Sequence, residues 1–379
     1  MLAKPASEAQ GSNPYARLLY SEIRGLGARV DEFAPWRAIS NSYDIFHLHW
    51  PEYYIAQRNP VKAYAGSIVL LALVSWCRLR GAKVIWTVHN LESHNKTRPR
   101  AEEIFWKLFT NMVDAYISLN EAGRELITRR FPATKGLPFA TILHGHYRDA
   151  YPSEMDRLEA RRRLGIPPDR KVFLFFGSLA RYKGLTHLVE AFRSLADRDV
   201  VLCIAGAVAD KSIEPFLRAE SREDPRFCLQ LSRVPTRAVE LYFKASDVVV
   251  LPFSDIFNSG SALLALSFDR PLLVPALGGM SELQQLVGDN WVSTYEGILT
   301  ADHLSRAMHW AFNAERQERA PLDQFNWGRL AADTLNLYTA VLTPQKVGAI
   351  NLLKSNNMPG SLKKIGSEMD EPVTRQPQR

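Results

Sequence analysis

Short runs of β-branched and aromatic residues alternate with longer stretches of helical period along almost the whole chain, and this rhythm limits the fold more than any other feature. Parallel strands cannot be joined by tight turns; they need crossovers, usually helical, and the resulting sheet is covered on both faces. Strands are expected at Tyr43–Trp50, Lys83–Asn90, Ala115–Asn120 and Ala140–His146 in the first half. In the second half they are expected at Val172–Ser178, Val200–Gly206, Phe227–Leu231, Val248–Phe253 and Pro271–Pro275. Helix-like segments such as Ala101–Met112 lie between them. The pattern predicts an α/β protein with two doubly wound parallel sheets. One feature breaks the rhythm: Lys4–Pro14 leads directly into the helix-like Tyr15–Leu26, so the usual opening strand is expected either to be missing or to lie upstream of the given start.

A chain of 379 residues exceeds what one core usually supports, so two domains with a cleft between them follow. The expected division is a first domain over 1–150, a polar connection over 151–170 closed by Gly165-Ile-Pro-Pro168, and a second domain over 171–325. A last helix over 326–342 and a mobile tail over 343–379, rich in Pro, Asn, Ser and Lys, complete it.

The formal charge is +7, but 47 Lys and Arg are interspersed with 40 Asp and Glu, without the basic stripe of a nucleic-acid binder. Anionic small molecules or anionic lipid are the expected partners. Cys77, Cys203 and Cys228 are too few and too scattered for a disulfide framework or a zinc site, which fits a reducing cytoplasm. The most apolar run, Ser67–Trp76, has about half the ~20 residues a spanning helix needs, and no signal peptide opens the chain, so neither spanning nor export is expected.

Ligands of open parallel sheets bind beyond the carboxyl ends of the strands. The histidines crowd that rim: His47 and His49 close the first strand, His89 the second, and His144 and His146 the fourth. Imidazole titrates where acid–base chemistry is done, although each of these also suits a hydrogen-bonded structural role. His47 and His49 share one strand face, as metal ligands would, but no third ligand stands at a recognisable spacing and no metal is expected. Glu52 and Glu92 are nearby carboxylates.

In the second half, Gly177-Ser-Leu-Ala-Arg181-Tyr-Lys183-Gly184 presents two cations after a strand. Asn258, Ser259, Gly260 and Ser261 precede a helix, where small residues let phosphate oxygens reach free backbone N–H groups. Two such sites suit a diphosphate; an ordinary surface pair and an ordinary N-cap are the plain alternatives. No Gly-x-Gly-x-x-Gly or P-loop motif occurs, which disfavours dinucleotide oxidoreductases and P-loop enzymes. Asp197-Arg-Asp199 precedes a strand, at the wrong rim for a metal site of this kind, and reads as a solvated loop.

These residues together resemble the GT-B glycosyltransferases, which carry two Rossmann-like domains facing a cleft. Phe176–Gly184 is similar to the Gly-Arg-Leu-x-x-x-Lys-Gly loop of the GT4-like group, and Val234–Asp247 to its helix ending in Ala-Ser-Asp. Gly278-Gly-Met-Ser-Glu282 is similar to its Gly-Gly-x-Pro-Glu, Phe325-Asn-Trp327 to its Phe-Ser-Trp, and Thr87-Val-His89 to its Thr-x-His. A narrower resemblance is to the bacterial exopolysaccharide β-mannosyltransferases, through Asn13-Pro-Tyr15, His47–Tyr53, His89–Leu91, Ile142–Asp149 and Asn258–Gly260. The Glu-x₇-Glu of the GT4-like group is absent; Ile256 and Leu264 hold its positions.

The resemblance implies inverting transfer of mannose from GDP-mannose to a polyprenyl-diphosphate-linked oligosaccharide, peripheral on the cytoplasmic face of the inner membrane, with no cofactor. It assigns Arg181 and Lys183 to the diphosphate, Asn258–Ser261 to its helix end and Glu282 to the nucleotide or sugar. Glu52 and His89, then His49, are the candidate bases, with Asn13, Tyr15, His47, His144 and His146 on the acceptor side. Rival readings are a retaining GT4-like transferase with another nucleotide sugar, a GT-B-fold epimerase, and an inactive binding protein.

Overall fold

The computed structural model describes residues 1–7, 13–92 and 98–343. The first half contains β1 (Leu2–Lys4), α1 (Tyr15–Gly25), β2 (Asp31–Glu32), α2 (Pro35–Ser40), β3 (Ile45–Leu48) and α3 (Pro60–Leu79). It continues with β4 (Lys83–Val88), α4 (Pro99–Thr110), β5 (Ala115–Ser118), α5 (Gly123–Arg130) and β6 (Phe139–Thr141). All pairings are parallel, in the order β2-β1-β3-β4-β5-β6. The opening strand is therefore present. Its three residues are too few to show a period, yet Leu2 and Ala3 are wholly buried between β2 and β3.

After α6 (Arg157–Leu164), the second half runs β7 (Lys171–Phe176), α7 (Leu185–Arg193), β8 (Val200–Ala205), α8 (Ile213–Glu223), β9 (Phe227–Gln230) and α9 (Val239–Ala245). Then come β10 (Val248–Val250), α10 (Gly260–Ser267), β11 (Leu272–Pro275), α11 (Met280–Val287), β12 (Val292–Tyr295), α12 (Ala301–Asn313) and α13 (Trp327–Leu342). This sheet is also parallel, in the order β12-β11-β10-β7-β8-β9, so the strand order reverses between β7 and β10. A doubly wound sheet opens a crevice at that reversal.

Three expectations change. Most strands end earlier than their apolar runs, because the chain stays apolar as it turns under the neighbouring half; β6 stops at Thr141, leaving His144 and His146 in the crossing that follows. The apolar run at Ser67 lies inside the 20-residue α3, long and apolar enough by length and composition to cross a membrane. Its inner face, including Ala63, Leu70, Val74 and Cys77, packs in the core beside β4 and α2, as a layer helix must, while Ile68, Val69, Trp76 and Leu79 stay exposed. The connection forms the helix its Glu154–Leu164 stretch favours, as α6, but it belongs to the second half: α6 packs on α9, and Tyr151, Leu164 and Ile166 join that half's core. Residues 344–379 of the expected tail lie outside the described residues.

The α6 contact rests on a buried ion pair. Arg161, 1% exposed, donates to Asp247 at 2.8 Å and to three backbone carbonyls, of Ala245, Pro168 and Arg170. Asp247 also accepts from the Val172 N–H and from Arg157. The Asp of Ala-Ser-Asp is thus a structural acceptor that fixes α6, β7 and the start of β10 together. Asp247→Ala is expected to lower the unfolding free energy by about 3–5 kcal/mol, because it strands a buried guanidinium. A loss below about 1 kcal/mol in denaturant titration, the scale of an exposed pair, would contradict this.

Candidate active site

The first sheet reverses order between β1 and β3, and the histidines collect just beyond that point. The His49 N–H donates to the Lys4 carbonyl, so β1 seats the end of β3. His47 and His49 are wholly buried, contrary to a solvent-facing rim. His47 bonds Tyr338 and Tyr20 through Nδ1 at 2.6 and 2.9 Å and Thr87 through Nε2 at 2.7 Å. His49 bonds Tyr20 through Nε2 at 2.7 Å and His89 Nε2 through Nδ1 at 3.0 Å. Both nitrogens of both rings are committed, and burial holds His47 well below its usual pKa and His49 at about 3. Neither ring is placed to take a proton from a substrate, and their shared strand face serves these bonds; no group of three His, Cys, Asp or Glu that could hold a metal occurs among the described residues.

His89 keeps Nδ1 without a partner among the described residues. Its ring is stacked on Trp50 at 4.1 Å and met edge-on by Tyr15 at 4.9 Å, and burial, then the neighbouring imidazoles, holds it neutral. Tyr15 also meets His49, His144 and Trp327 edge-on. Glu52 stands on the turn Pro51–Tyr53 and accepts from Asn90 at 2.9 Å. It is 7% exposed, and desolvation raises its pKa to about 7 against a smaller opposing effect of Asn90. A carboxyl poised there can act as a base near neutrality. Glu92 is instead exposed, 3.8 Å from Arg130.

His144 donates from Nδ1 to the Gly145 carbonyl at 2.9 Å, which leaves Nε2 as an acceptor, and burial lowers its pKa to about 4. Asn13 caps the start of α1 by accepting from the Tyr15 N–H and accepts from the Tyr147 hydroxyl at 2.6 Å. These groups abut the second half: a Cβ on Gly260 would lie 3.1 Å from Tyr147 Oη and 3.5 Å from Asn13 Nδ2 and His144 Nε2. His146 belongs to the crossing rather than the cleft. Its carbonyl accepts from Trp327 Nε1 at 2.6 Å, and the Trp327 ring lies on Gly145, where a Cβ would come within 2.3 Å.

Across the cleft, Gly177 and Gly206 close the carboxyl ends of β7 and β8, both at positive φ. A Cβ on Gly206 would overlap the Gly177 carbonyl, and one on Gly177 would lie 3.1 Å from Ser261 Oγ. The Ser259 side chain caps α10, accepting from the Ala262 N–H at 3.2 Å. A cavity of about 480 Å³ opens at this point, lined by Gly177, Ser178, Gly206, Arg233, Thr236, Gly260 and Ser261 among others. Lys183 sits beside the cavity's rim loops, its ammonium 4.7 Å from the Phe253 ring and its pKa lowered to about 8 by burial. Arg181 is exposed and turned to Ser212 and Asp210, so the structure does not bring it beside Lys183.

The two halves also clasp directly. Asn120 donates to Asn258 Oδ1 at 2.7 Å and to the Phe257 carbonyl at 3.1 Å. Glu282 accepts the Glu121 N–H with both oxygens, 3.1 and 2.9 Å, so its carboxylate joins the halves in this arrangement. Asp197 and Asp199 pair with Lys171 and Arg170 at the opposite rim, as expected of a solvated loop. Sequence reasoning missed Tyr20, Asn120, Tyr147, Arg233, Thr236 and Tyr338. Tyr147 and Thr236 stood inside quoted motifs; the others carry no local pattern.

Two six-stranded parallel sheets, a switch-point cavity and a facing His and Glu rim are the arrangement of a nucleotide-sugar transferase. The family model for glycosyl transferases group 1 matches residues 156–285, and the chain belongs to these group 1 glycosyltransferases, with the GT-B fold. It is 30% identical over 319 residues to the GDP-mannose:glycolipid 4-beta-D-mannosyltransferase of Xanthomonas campestris pv. campestris, covering 84% of this chain and 86% of the relative. Among solved structures it resembles Anabaena Alr3699/HepE in complex with UDP, at a TM-score of 0.60 and 13% identity over 90% of this chain and 97% of the other. WaaG, a glycosyltransferase involved in lipopolysaccharide biosynthesis, gives a TM-score of 0.58 at 15% identity over the same shares.

The raised pKa of Glu52 carries a stability signature. Its folded pKa of about 7 exceeds the ordinary carboxyl value of 4.5, so the folded state favours the proton, and the advantage is lost as pH rises from about 4.5 through 7. Glu52→Gln is expected to match the native protein below pH 4.5 and to exceed it by on the order of 3 kcal/mol above pH 8, at about 1.4 kcal/mol per unit. Equal stabilities at both pH values, measured by denaturant unfolding, would place Glu52 in contact with water.

Proposed function

We propose that this glycosyltransferase moves mannose from GDP-mannose to a polyprenyl-diphosphate-linked oligosaccharide with inversion, in bacterial exopolysaccharide assembly. The observation that carries the reading is a cavity shared by the two halves. Its lining carries Arg233 and no carboxylate and takes Asn13 and Tyr147 from the first half, where Tyr15 meets the neutral His89 ring at 4.9 Å and Asn90 holds the titratable Glu52. The relative named above adds the donor and the glycolipid acceptor by its own name.

In this reading the nucleotide lies in the 480 Å³ cavity, its diphosphate over the open surface of Gly177 and at the start of α10, where the first N–H groups of the helix and its dipole favour negative charge. Lys183 meets the charge that develops on the leaving diphosphate. Its lowered pKa reflects a dry setting, where a cation is worth more than in water and an arriving anion restores its proton affinity. Glu52 takes the acceptor hydroxyl proton as the oxygen attacks the anomeric carbon from the face opposite the diphosphate. The bond to the diphosphate oxygen breaks as the new one forms, leaving a β-mannoside, GDP and a protonated Glu52. Asn90 holds the carboxyl in place.

The acceptor is lipid-linked, so we propose peripheral association with anionic membrane. The exposed faces of α2 and α3 present Trp36, Ile39, Ile68, Val69, Trp76 and Leu79. Arg37 and Arg80 lie over the Trp36 and Trp76 rings at 5.0 and 5.8 Å, and Lys62, Arg78, Lys83, Arg98 and Arg100 add positive charge on the same half. Lys96, between them in the sequence, lies outside the described residues. Apolar groups interleaved with cations suit an interfacial surface. Sedimentation with anionic vesicles at low salt is expected for the native protein and is lost in the Ile68→Asp, Leu79→Asp double variant; no sedimentation by either would refute the surface.

Lys183→Ala is expected to lower kcat about 10²-fold or more while leaving the melting temperature unchanged, the scale of removing a positioned group at developing charge. Near-normal turnover would remove Lys183 from the diphosphate. Glu52→Gln is expected to abolish turnover with little change in donor affinity, and the native rate to rise with pH through about 7 as the carboxyl ionises. An α-linked product by NMR would refute inversion.

A further inference from the structure

The buried groups behind His89 form a connected chain in which each hydrogen constrains the next. Its links are Tyr338 Oη to His47 Nδ1 at 2.6 Å, Tyr20 Oη to His47 Nδ1 at 2.9 Å, Tyr20 Oη to His49 Nε2 at 2.7 Å, and His49 Nδ1 to His89 Nε2 at 3.0 Å. Tyr20 comes from α1, Tyr338 from α13, and the histidines from the ends of β3 and β4, so four elements are needed to assemble it. Burial keeps all three imidazoles neutral. A neutral imidazole has one N–H and one lone pair, so the bond at one nitrogen dictates what the other offers.

Follow the hydrogens outward. If the Tyr20 hydroxyl donates to His49 Nε2, then His49 donates from Nδ1 to His89 Nε2, and His89 shows Nδ1–H to the cleft. If the Tyr20 hydrogen turns toward His47 or Tyr338 instead, every bond reverses and His89 shows a bare lone pair. The shortest contact on His47 Nδ1 is that of Tyr338, and one ring nitrogen has room for one hydrogen or one lone pair along one direction. Tyr338 therefore claims that site, and the hydrogen of Tyr20 is left to its own shortest contact, His49.

We propose that Tyr20 is a positioning residue that acts through His49 to fix His89 as the Nδ1–H tautomer, a hydrogen-bond donor directed at the substrate rather than a base. This rests on the reading of the His89 side of the cleft as the transfer site, and it leaves proton removal to Glu52. Tyr338 is the counterpart that keeps the Tyr20 hydrogen from turning inward. Such support is what holds a functional imidazole in one tautomer and one orientation.

The test is the ¹⁵N spectrum of histidine-labelled full-length protein, with His89 assigned by its loss in His89→Gln. In the native protein His89 is expected to carry its hydrogen on Nδ1 and a bare Nε2. Tyr338→Phe frees His47 Nδ1 to accept from Tyr20, and is expected to shift His89 toward the Nε2–H tautomer. Tyr20→Phe is expected to give a mixture of the two and to lower kcat about 10-fold to 100-fold, with the donor KM within about twofold of native. A native His89 protonated at Nε2, or an unchanged His89 spectrum in both folded tyrosine variants, overturns the proposal. If Tyr20→Phe does not fold, Tyr338→Phe decides alone. Full activity in His89→Gln together with the expected spectra would overturn the catalytic reading of His89 and leave the tautomer relay standing.

Discussion

The arrangement depends on the two places where the chain passes between its halves, which lock against each other. On the way out the backbone runs through His144, Gly145 and His146. On the way back Trp327 lays its indole on Gly145 and donates to the His146 carbonyl, while Asn326 caps the helix that follows. A side chain at Gly145 has no room, so the close approach demands glycine. Because α13 is seated there, its buried face reaches the first sheet, where Leu330, Ala331, Leu337 and Tyr338 pack with Tyr15, Leu19, Tyr20 and Ile23. The last helix among the described residues thus completes the core beneath the first half's rim.

From this seat follows a division of electrostatic labour across the cleft. On one side the imidazoles are driven neutral by burial, and Glu52 is lifted toward neutrality by the same cause, because a dry environment disfavours charge of either sign. On the other side the start of α10 supplies a positive end that cannot be neutralised, with Arg233 in the same lining. Lys183 shares the constraint of the first side, since desolvation depresses it too. Desolvation thus acts on both faces alike, lowering the imidazoles and Lys183 and raising Glu52.

The fold was legible because crossover helices force their period on the sequence, and nine of the twelve strands have runs of their own. β1 and β2, of three and two residues, show no period, and β12 is a four-residue edge strand whose middle is only half buried. The positions of Glu52 and His89 were legible as chemistry after strands, since such ends converge in a parallel sheet. Roles read from residue type alone fared less well. His47 and His49 belong to an interior network set by Tyr20 and Tyr338, which stand 27 residues before His47 and 291 after it, too distant for spacing to reveal. Arg181, adjacent to Lys183 in any motif, turns away because the short helix Arg181–Lys183 directs their side chains apart, one toward α8 and one toward Phe253.

The missing pair of glutamates can be placed against this geometry. The positions aligned with them hold Ile256, whose carbonyl is pressed on Gly278, and Leu264, which lines the donor cavity from α10. A glutamate at the second position would add a carboxylate to a lining that otherwise carries Arg233 as its charged side chain. Leucine there leaves apolar surface and removes repulsion toward a diphosphate. The polar work beside it falls to groups from the first half: the Tyr147 hydroxyl, the Asn13 amide and the lone pair of His144, all pressed on Gly260. The cavity is thus walled by both halves, which Asn120 to Asn258 and the Glu121 N–H to Glu282 hold together.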